Sequence, residues 1–296
     1  MSLRWENAHQ PDTDRVLRVM TPDDLSQAVQ LSQNVGWGHG LPDWERLLYW
    51  SPEGCFVLDE PGRGLVGTVT TTAYGTTLAW IGMMIIAPDR QRQGLGRQLM
   101  RATLDHLRDC GIERIMLDAS EAGRGLYEKL GFRAVQKVER WEGRTSTYLG
   151  PRAQPLRTHD INAMLTLDAR LFGVKRPQIL FRLLDEFPAL AWVDYHQGRL
   201  EGYLLAHPLG DRISLGPWMS WSASSAERLL RVAMEQLQGA DLVMNIPDNN
   251  GRALMVARNH SFHRVRYCTR MIYGSTAQPI SGELLAELAV ASLATG

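Results

Sequence analysis

The chain has 296 residues, of which 44% are hydrophobic and 22% are charged, and its formal net charge is zero. This composition is typical of a globular protein long enough for two domains, and it excludes an intrinsically disordered chain. The balanced charge gives no reason to expect nucleic acid or a membrane surface as a partner, and no run of about 18 apolar residues predicts a membrane-spanning helix. Three cysteines in no metal-binding spacing favour a cytoplasmic protein without a metal site.

The first part of the chain predicts strands interspersed with helices. Thr21 followed by Pro22 is typical of a helix start, because threonine caps free N–H groups and proline fits the first helical position. In chain order the pattern predicts a strand over 15–20, a helix from Thr21, a glycine-rich loop over 36–44, a helix over 44–50, and antiparallel strands over 55–59 and 64–73.

The loop over 36–44 combines flexible glycines with Trp37, His39 and Trp44. Two interpretations stay open. Either these side chains line the site of an acceptor substrate, or the tryptophans pack the loop onto the domain. As a lining, the aromatic rings favour a cationic or apolar ligand through stacking or cation–π contacts.

A strand, a polar loop and a helix follow each other over residues 78–110. Residues 80–87 form an apolar run of the length of a buried strand, and the leucines of the helix lie at helical spacing. Between them, Gly94 and Gly96 permit backbone conformations that a side chain would hinder. Successive N–H groups of such a loop, next to a helix N-terminus, can hold a diphosphate. The residues predicted to surround this anion are Gln91, Arg92, Gln93, Gly94, Leu95, Gly96 and Arg97, with Arg90 beside them.

Two motifs resemble the GNAT superfamily of N-acetyltransferases. The segment 91–96 is similar to the family signature Q/R-x-x-G-x-G/A, and the segment 126–132 is similar to its second motif, LYEKLGF. Between them the pattern predicts a strand over 114–118 and a helix over 125–130; strands over 132–138 and 144–149 follow. The resemblance implies an α/β (α+β) fold with a mixed, mostly antiparallel twisted sheet flanked by helices, and acetyl-CoA as the acyl donor.

The resemblance also implies how the donor is held. In this family the strand equivalent to 80–87 diverges from its neighbour, so that its backbone pairs with the pantetheine arm of the coenzyme. Met84, Ile85 and Ile86 would supply those backbone groups. Tyr127 lies where the family has its general acid, which protonates the departing thiolate.

The general base stays open, because the strand over 80–86 carries no carboxylate. His39 is favoured, since an unperturbed imidazole titrates near neutrality. Asp118 is a second candidate at the end of its strand. The further candidates are Asp43, Glu45, Glu121 and a chain of waters.

The second half resembles the first in spacing. Corresponding positions are Gly67 and Gly202, Gly82 and Gly216, Leu99 and Leu229, and Phe132 and Phe262. Between Gly216 and Leu229 the second half is four residues shorter than the first, and its segment 220–225 has no glycine. The shortening falls where the first half has its glycine loop, so the second half should keep the fold and lack the cofactor site.

We therefore predict two tandem GNAT folds, a catalytic domain over 1–150 and a degenerate domain over 151–296. The second is similar to the C-terminal YitH-type domain of some bacterial acetyltransferases. Leucines at helical spacing predict a final amphipathic helix over 282–294.

The leading hypothesis is an N-acetyltransferase that acts on a primary amine of a small molecule by direct attack in a ternary complex, as a monomer or homodimer. The alternatives are a protein lysine or N-terminal acetyltransferase, which needs an open peptide groove, and a non-catalytic coenzyme A sensor.

Overall fold

The computed structural model describes residues 15–144, 152–274 and 287–296, and within these ranges the chain forms thirteen strands and eight α-helices. The strands are β1 (Val16–Val19), β2 (Phe56–Glu60), β3 (Gly64–Tyr74), β4 (Leu78–Ile86), β5 (Ile115–Ala119), β6 (Phe132–Arg144), β7 (Gln154–Pro155), β8 (Ala191–His196), β9 (Arg199–Leu209), β10 (Arg212–Ser220), β11 (Asp241–Pro247), β12 (His263–Tyr273) and β13 (Glu287–Ala289). The helices are α1 (Leu25–Asn34), α2 (Leu41–Trp50), α3 (Leu95–Asp109), α4 (Glu121–Lys129), α5 (Ile161–Phe172), α6 (Pro177–Glu186), α7 (Ala223–Gln236) and α8 (Gly251–Asn259).

All the described strands belong to one sheet in the order β1-β2-β3-β4-β5-β12-β6-β11-β10-β9-β8-β7, and β13 pairs with β10. Most neighbours are antiparallel, whereas β4 with β5 and β10 with β11 are parallel. The halves exchange strands, because β12 pairs with β5 and β6 pairs with β11. The predicted fold class, a mixed and mostly antiparallel sheet flanked by helices, is confirmed. The boundary at residue 150 stays a prediction.

Most predicted elements of the first half form where the pattern placed them. One difference is α2, which begins at Leu41 rather than residue 44, because the Gly40 N–H donates to the Asp43 carboxylate at 2.8 Å and caps the helix start. A second difference is that residues 132–144 form the single strand β6, since β11 and β12 pair with it on its two sides. Residues 145–149 lie outside the described residues.

Equivalent glycines in the two halves allow equivalent close packing of a helix on the sheet. A Cβ on Gly67 would lie 2.9 Å from Cδ1 of Leu99, and a Cβ on Gly202 would lie 2.9 Å from Cδ1 of Leu229. Both contacts are shorter than real Cβ contacts, so α3 and α7 approach their strands only where glycine is present. This shared packing supports the internal repeat.

The connection that precedes this helix differs between the halves. Residues 87–94 separate β4 from α3, whereas only Trp221 and Ser222 separate β10 from α7. The Ser222 hydroxyl accepts the Ser225 N–H at 3.2 Å, so the N-terminus of α7 is capped by its own chain. The second half therefore lacks the cofactor loop. None of the helices in the described ranges is both long and apolar enough to span a membrane.

The helix predicted over 282–294 is wrong where the structure describes it, because residues 287–289 form strand β13; residues 282–286 lie outside the described residues. β13 pairs with β10 at Trp218, beyond the last pairing of β10 with β11 at Ser214, and the Val290 N–H donates to the Asn245 carbonyl of β11 at 3.0 Å. The segment thus fills the gap between β10 and β11. The equivalent gap in the first half, between β4 and β5, is where the resemblance places the pantetheine arm.

Candidate active site

The loop between β4 and α3 has the backbone conformation that its glycine spacing predicts. Arg92 and Gly94 adopt left-handed conformations, with φ of 62° and 85°, and α3 begins at the next residue. A Cβ on Gly94 would meet no atom within 4 Å, whereas a Cβ on Gly96 would lie 3.1 Å from the side chains of both Met84 and Leu126. The loop is therefore open at Gly94 and packs at Gly96 against β4 and α4.

The backbone N–H groups of residues 91–97 donate to no acceptor within the described ranges, and the first bond of the helix runs from the Gln98 N–H to the Gly94 carbonyl at 3.1 Å. Arg92 and Arg97 are exposed beside these groups. Free N–H groups at a helix N-terminus, with two cations, fit the diphosphate of acetyl-CoA. Arg90 instead donates to both carboxylate oxygens of Glu60, at 2.8 and 2.9 Å, so its charge is already balanced.

Strand β4 diverges from β5 next to this loop. Their parallel pairing ends at Ile81 and Leu117, although β4 continues to Ile86. At the divergence Met83 has a positive φ of 45°, and the register between β3 and β4 shifts, which marks a β-bulge. The β5-facing edge over 82–86 has no strand partner among the described strands. Met84, Ile85 and Ile86 all lie on this edge.

A cavity of about 710 Å³ opens at the divergence, a volume that suits a small molecule. Its walls come from both halves: the loop before α2, β4, α4 and β6 from the first half, and β9 to β12 with residues 291–295 from the second. Of the predicted site residues, it brings together Trp37, His39, Met84, Asp118 and Tyr127.

Tyr127 lies on α4 with its side chain 7% exposed and its ring edge-on to Phe132, the ring centroids 5.9 Å apart. Its hydroxyl makes no hydrogen bond to any residue in the described ranges. Burial raises the pKa of Tyr127 above its usual value. The phenol is therefore protonated at neutral pH and free to donate into the cavity.

The cavity lining also includes a second histidine, His207 of β9. The Nδ1 atoms of both rings are buried and have no hydrogen-bond partner in the described part of the chain. Burial is the main cause that lowers the pKa of His39, and it lowers the pKa of His207 to about 4. Both imidazoles are therefore neutral at pH 7 and able to accept a proton.

Asp118, the other predicted base, is held in an ion pair. Its two carboxylate oxygens accept hydrogen bonds from Nε and Nη2 of Arg270 at 3.0 and 3.1 Å, and its side chain is 0% exposed. A carboxylate that balances a buried guanidinium has a structural role here. Both carboxylate oxygens of Asp118 are therefore engaged by Arg270 rather than free to act as a base.

The two tryptophans of the loop have different environments. Trp37 lines the cavity and lies edge-on to His39, with ring centroids 6.2 Å apart. Trp44 is 0% exposed in the core, and its Nε1 lies 3.4 Å from the Ser32 hydroxyl oxygen. The packing interpretation therefore applies to Trp44. Because its side chain does not line the cavity, Trp44 is not part of the proposed substrate site.

No sequence pattern predicted the lining residues that come from β6, β9 and β12. These include His207, Arg140 and Arg266. None belongs to a motif, and each reaches the site only through the pairing of strands distant in the chain. A buried histidine or an arginine on a strand is too common to single out without the fold.

Two family models match the chain: the Acetyltransferase (GNAT) family over residues 25–132 and the Acetyltransferase (GNAT) domain over residues 164–285. The chain belongs to the GNAT acetyltransferases, with one such domain in each half, and it is an acyltransferase. The family resemblance of the two motifs is thereby confirmed.

Similar proteins agree with this assignment. YitH of Bacillus subtilis, described as an uncharacterized N-acetyltransferase, is 24% identical over 215 residues, which cover 70% of this chain and 74% of YitH. A ribosomal-protein-alanine N-acetyltransferase of Escherichia coli is 30% identical over 116 residues, 37% of this chain and 74% of its own. A crystal structure from Pyrococcus horikoshii with a provisional acetyltransferase assignment covers 100% of both chains at 25% identity, with a TM-score of 0.80.

Proposed function

We propose that the protein transfers the acetyl group of acetyl-CoA to a primary amine of a small molecule, with donor and acceptor bound together. The observation that carries the proposal is the continuity of the site. Gly96 of the anion-binding loop packs against Met84, and Met84 lines the same cavity as Tyr127 and His39. A donor held by its diphosphate at the loop would therefore extend along β4 toward the cavity.

Acetyl-CoA supplies the acetyl group as an activated thioester. The N–H groups of residues 91–97 and the charges of Arg92 and Arg97 bind its diphosphate, and the open edge over 84–86 binds its pantetheine arm. The His39 imidazole takes the proton that the amine loses as the C–N bond forms. The Tyr127 hydroxyl gives a proton to the sulfur as the C–S bond breaks, and solvent restores both groups.

The partly closed cavity favours a small acceptor. An extended peptide needs an open groove, whereas here β9, β10 and residues 291–295 form a wall opposite the first half. Because the Escherichia coli relative is named for acetylating an alanine of a ribosomal protein, protein N-terminal acetylation is the second candidate. A coenzyme A sensor without catalysis is disfavoured, since the Tyr127 hydroxyl is free and faces the cavity.

The proposal is tested by the substitution Gly94→Glu together with acetyl-CoA binding. Acetyl-CoA at about 100 times its Kd should stabilise the wild type by about 2.7 kcal/mol, seen as a rise of several degrees in Tm. Gly94→Glu places a negative charge where the diphosphate binds, so the rise in Tm should vanish. Thiol release with a panel of small amines and N-terminal peptides then separates the two acceptor classes.

Gly75→Glu is the matched control. Gly75 also has a positive φ, of 61°, and no atom within 4 Å of an added Cβ, but it lies in the turn before β4, at the end of the strand away from the loop. Both variants should lose about 1–2 kcal/mol of stability from left-handed strain. Only Gly94→Glu should lose the ligand-induced shift. A wild type without any shift at millimolar acetyl-CoA would contradict the proposal.

A further inference from the structure

The acidic side chains of the cavity wall form ion pairs with arginines other than Arg140 and Arg266. Asp43 pairs with Arg46 at 2.5 Å, Asp118 pairs with Arg270, and Glu142 pairs with Arg212. The remaining acidic lining residue, Asp211, is 94% exposed and lies 3.9 Å from Arg212. Each acidic side chain of the described lining thus has an arginine partner already.

Arg140 and Arg266 line the same wall and take part in no ion pair with a described residue. They lie directly opposite each other on β6 and β12, where like charges destabilise a sheet. Asn245 of β11 is the neighbour of Arg140 on its other side, and its Oδ1 accepts from Arg140 Nε at 3.2 Å. This bond orients the guanidinium and leaves its Nη groups without an acceptor among the described residues.

Burial and the neighbouring Arg266 lower the pKa of Arg140 to about 10, so the side chain still carries its charge at neutral pH. Two adjacent guanidinium groups that form no ion pair with a described residue, Arg140 half-buried and Arg266 exposed, favour the binding of an anion. A guanidinium whose plane is fixed offers paired donors that match the oxygens of a carboxylate or a phosphate.

We infer that the acceptor is an amine that also carries an oxyanion, a carboxylate or a phosphate ester, and that Arg140 and Arg266 bind this oxyanion. The inference rests on the proposed function, because it names the class of acceptor. The amine end then meets the side chains of His39 and His207, which line the same cavity. The aromatic and histidine wall holds one end of the acceptor, and the arginine pair holds the other.

The test uses amines in matched pairs, with and without the oxyanion: β-alanine and propylamine for the carboxylate, phosphoethanolamine and ethanolamine for the phosphate. Thiol release is measured for the wild type and for the double variant Arg140→Gln with Arg266→Gln. In the wild type kcat/KM should favour the anionic member by about 10- to 100-fold, the range expected for hydrogen bonds to a charged group. The double variant should lose this preference and keep its KM for acetyl-CoA.

A second double variant, Arg144→Gln with Arg264→Gln, is the matched control. It changes the same net charge on the same two strands, at residues that pair with Asp241 and Glu139 outside the cavity lining. It should behave as the wild type does. A wild type that treats both members of each pair alike would overturn the inference, as would a preference that survives in the Arg140/Arg266 variant. The carboxylate and phosphate pairs show which oxyanion is bound.

A measurement of ligand binding through Tm provides a second test that does not depend on turnover. β-Alanine and phosphoethanolamine should raise the Tm of the wild type and of the control variant but not that of the Arg140/Arg266 variant. If acetyl-CoA failed to bind and no amine were acetylated, the proposed function would fail, and the difference in Tm would still support or refute the oxyanion site. An equal shift in all three proteins, or none, refutes it.

Discussion

Tyr127 has a largely buried side chain whose hydroxyl oxygen is not itself among the buried atoms. Its side chain is 7% exposed, and its hydroxyl nevertheless has no hydrogen-bond partner within the described ranges. The side chain lines the cavity, so the hydroxyl group can be reached from there. A free hydroxyl that faces the cavity beside β4 is therefore consistent with a group that acts on a bound ligand.

Replacing Tyr127 with phenylalanine should lower kcat by about 100-fold or more and leave the KM for acetyl-CoA nearly unchanged. The substitution removes only the proton donor, and the edge-on contact with Phe132 remains. Steady-state kinetics measure both constants. Tyr273→Phe is the matched control, because Tyr273 packs on the same Phe132 ring, with centroids 5.2 Å apart, but does not line the cavity. Equal kcat values for the two variants would exclude Tyr127 as the acid.

The segment 287–296 packs against equivalent glycines of the two halves, Gly82 and Gly216. A Cβ on Gly216 would lie 2.1 Å from the Val290 carbonyl oxygen, and a Cβ on Gly82 would lie 2.6 to 2.8 Å from three atoms of Ala294. The Trp80 indole N–H donates to the Leu293 carbonyl at 3.3 Å. The segment thus completes the sheet in the second half and forms a wall of the cavity in the first.

The substitution Gly82→Ala should therefore affect both stability and acceptor binding. The added methyl group meets the backbone of Ala294, which must shift, so we expect a loss of about 1–3 kcal/mol in the free energy of unfolding. The KM for the acceptor should rise, because residues 291–295 line its cavity. Denaturant unfolding and steady-state kinetics measure the two effects.

Gly125→Ala provides the comparison for that substitution. Gly125 lies within α4, and an added Cβ meets no atom within 4 Å, so alanine there should be neutral or stabilise by about 0.5–1 kcal/mol. If Gly82→Ala were as stable as Gly125→Ala, the close contact between β4 and the segment 287–296 would be refuted.

For the whole molecule, the buried histidine pair predicts a loss of stability in acid. The pKa of His207 is about 4 in the folded protein and about 6.5 in an unfolded chain, so the unfolded state binds the proton more tightly. His207 contributes fully to the free energy of unfolding above about pH 6.5. This contribution falls by up to about 3 kcal/mol as the pH drops from about 6.5 to 4. The charge of Arg46 lowers the pKa of His207 further, whereas the charge of Asp43 raises it. The pKa of His39 is also lowered, mainly by burial.

The variant His207→Gln should lose less stability than the wild type between about pH 7.5 and pH 5, because it removes a group that must bind a proton on unfolding. Urea unfolding at the two pH values measures the difference. His196→Gln on the exposed end of β8 serves as the control and should show the wild-type loss. A loss that is the same in all three proteins would show that His207 does not contribute.

The sequence alone predicted the conformation of the glycine loop over 91–96 and the helix that carries Tyr127. The conformation of residues 91–96 depends on local backbone angles, which Gly94 makes accessible, and the helix that follows begins within the same segment. It also predicted that the second half lacks this loop, since a deletion between two recognisable positions is visible without coordinates.

Only the tertiary structure decided the lining of the acceptor cavity. His207, Arg140 and Arg266 come together through β9, β6 and β12, and the exchange of strands between the halves joins residues far apart in the chain. Local sequence patterns also did not predict the burial of Trp44 or the strand at 287–289. Aromatic content and leucine spacing describe a segment by itself, whereas its burial and pairing depend on the partners that the fold brings to it.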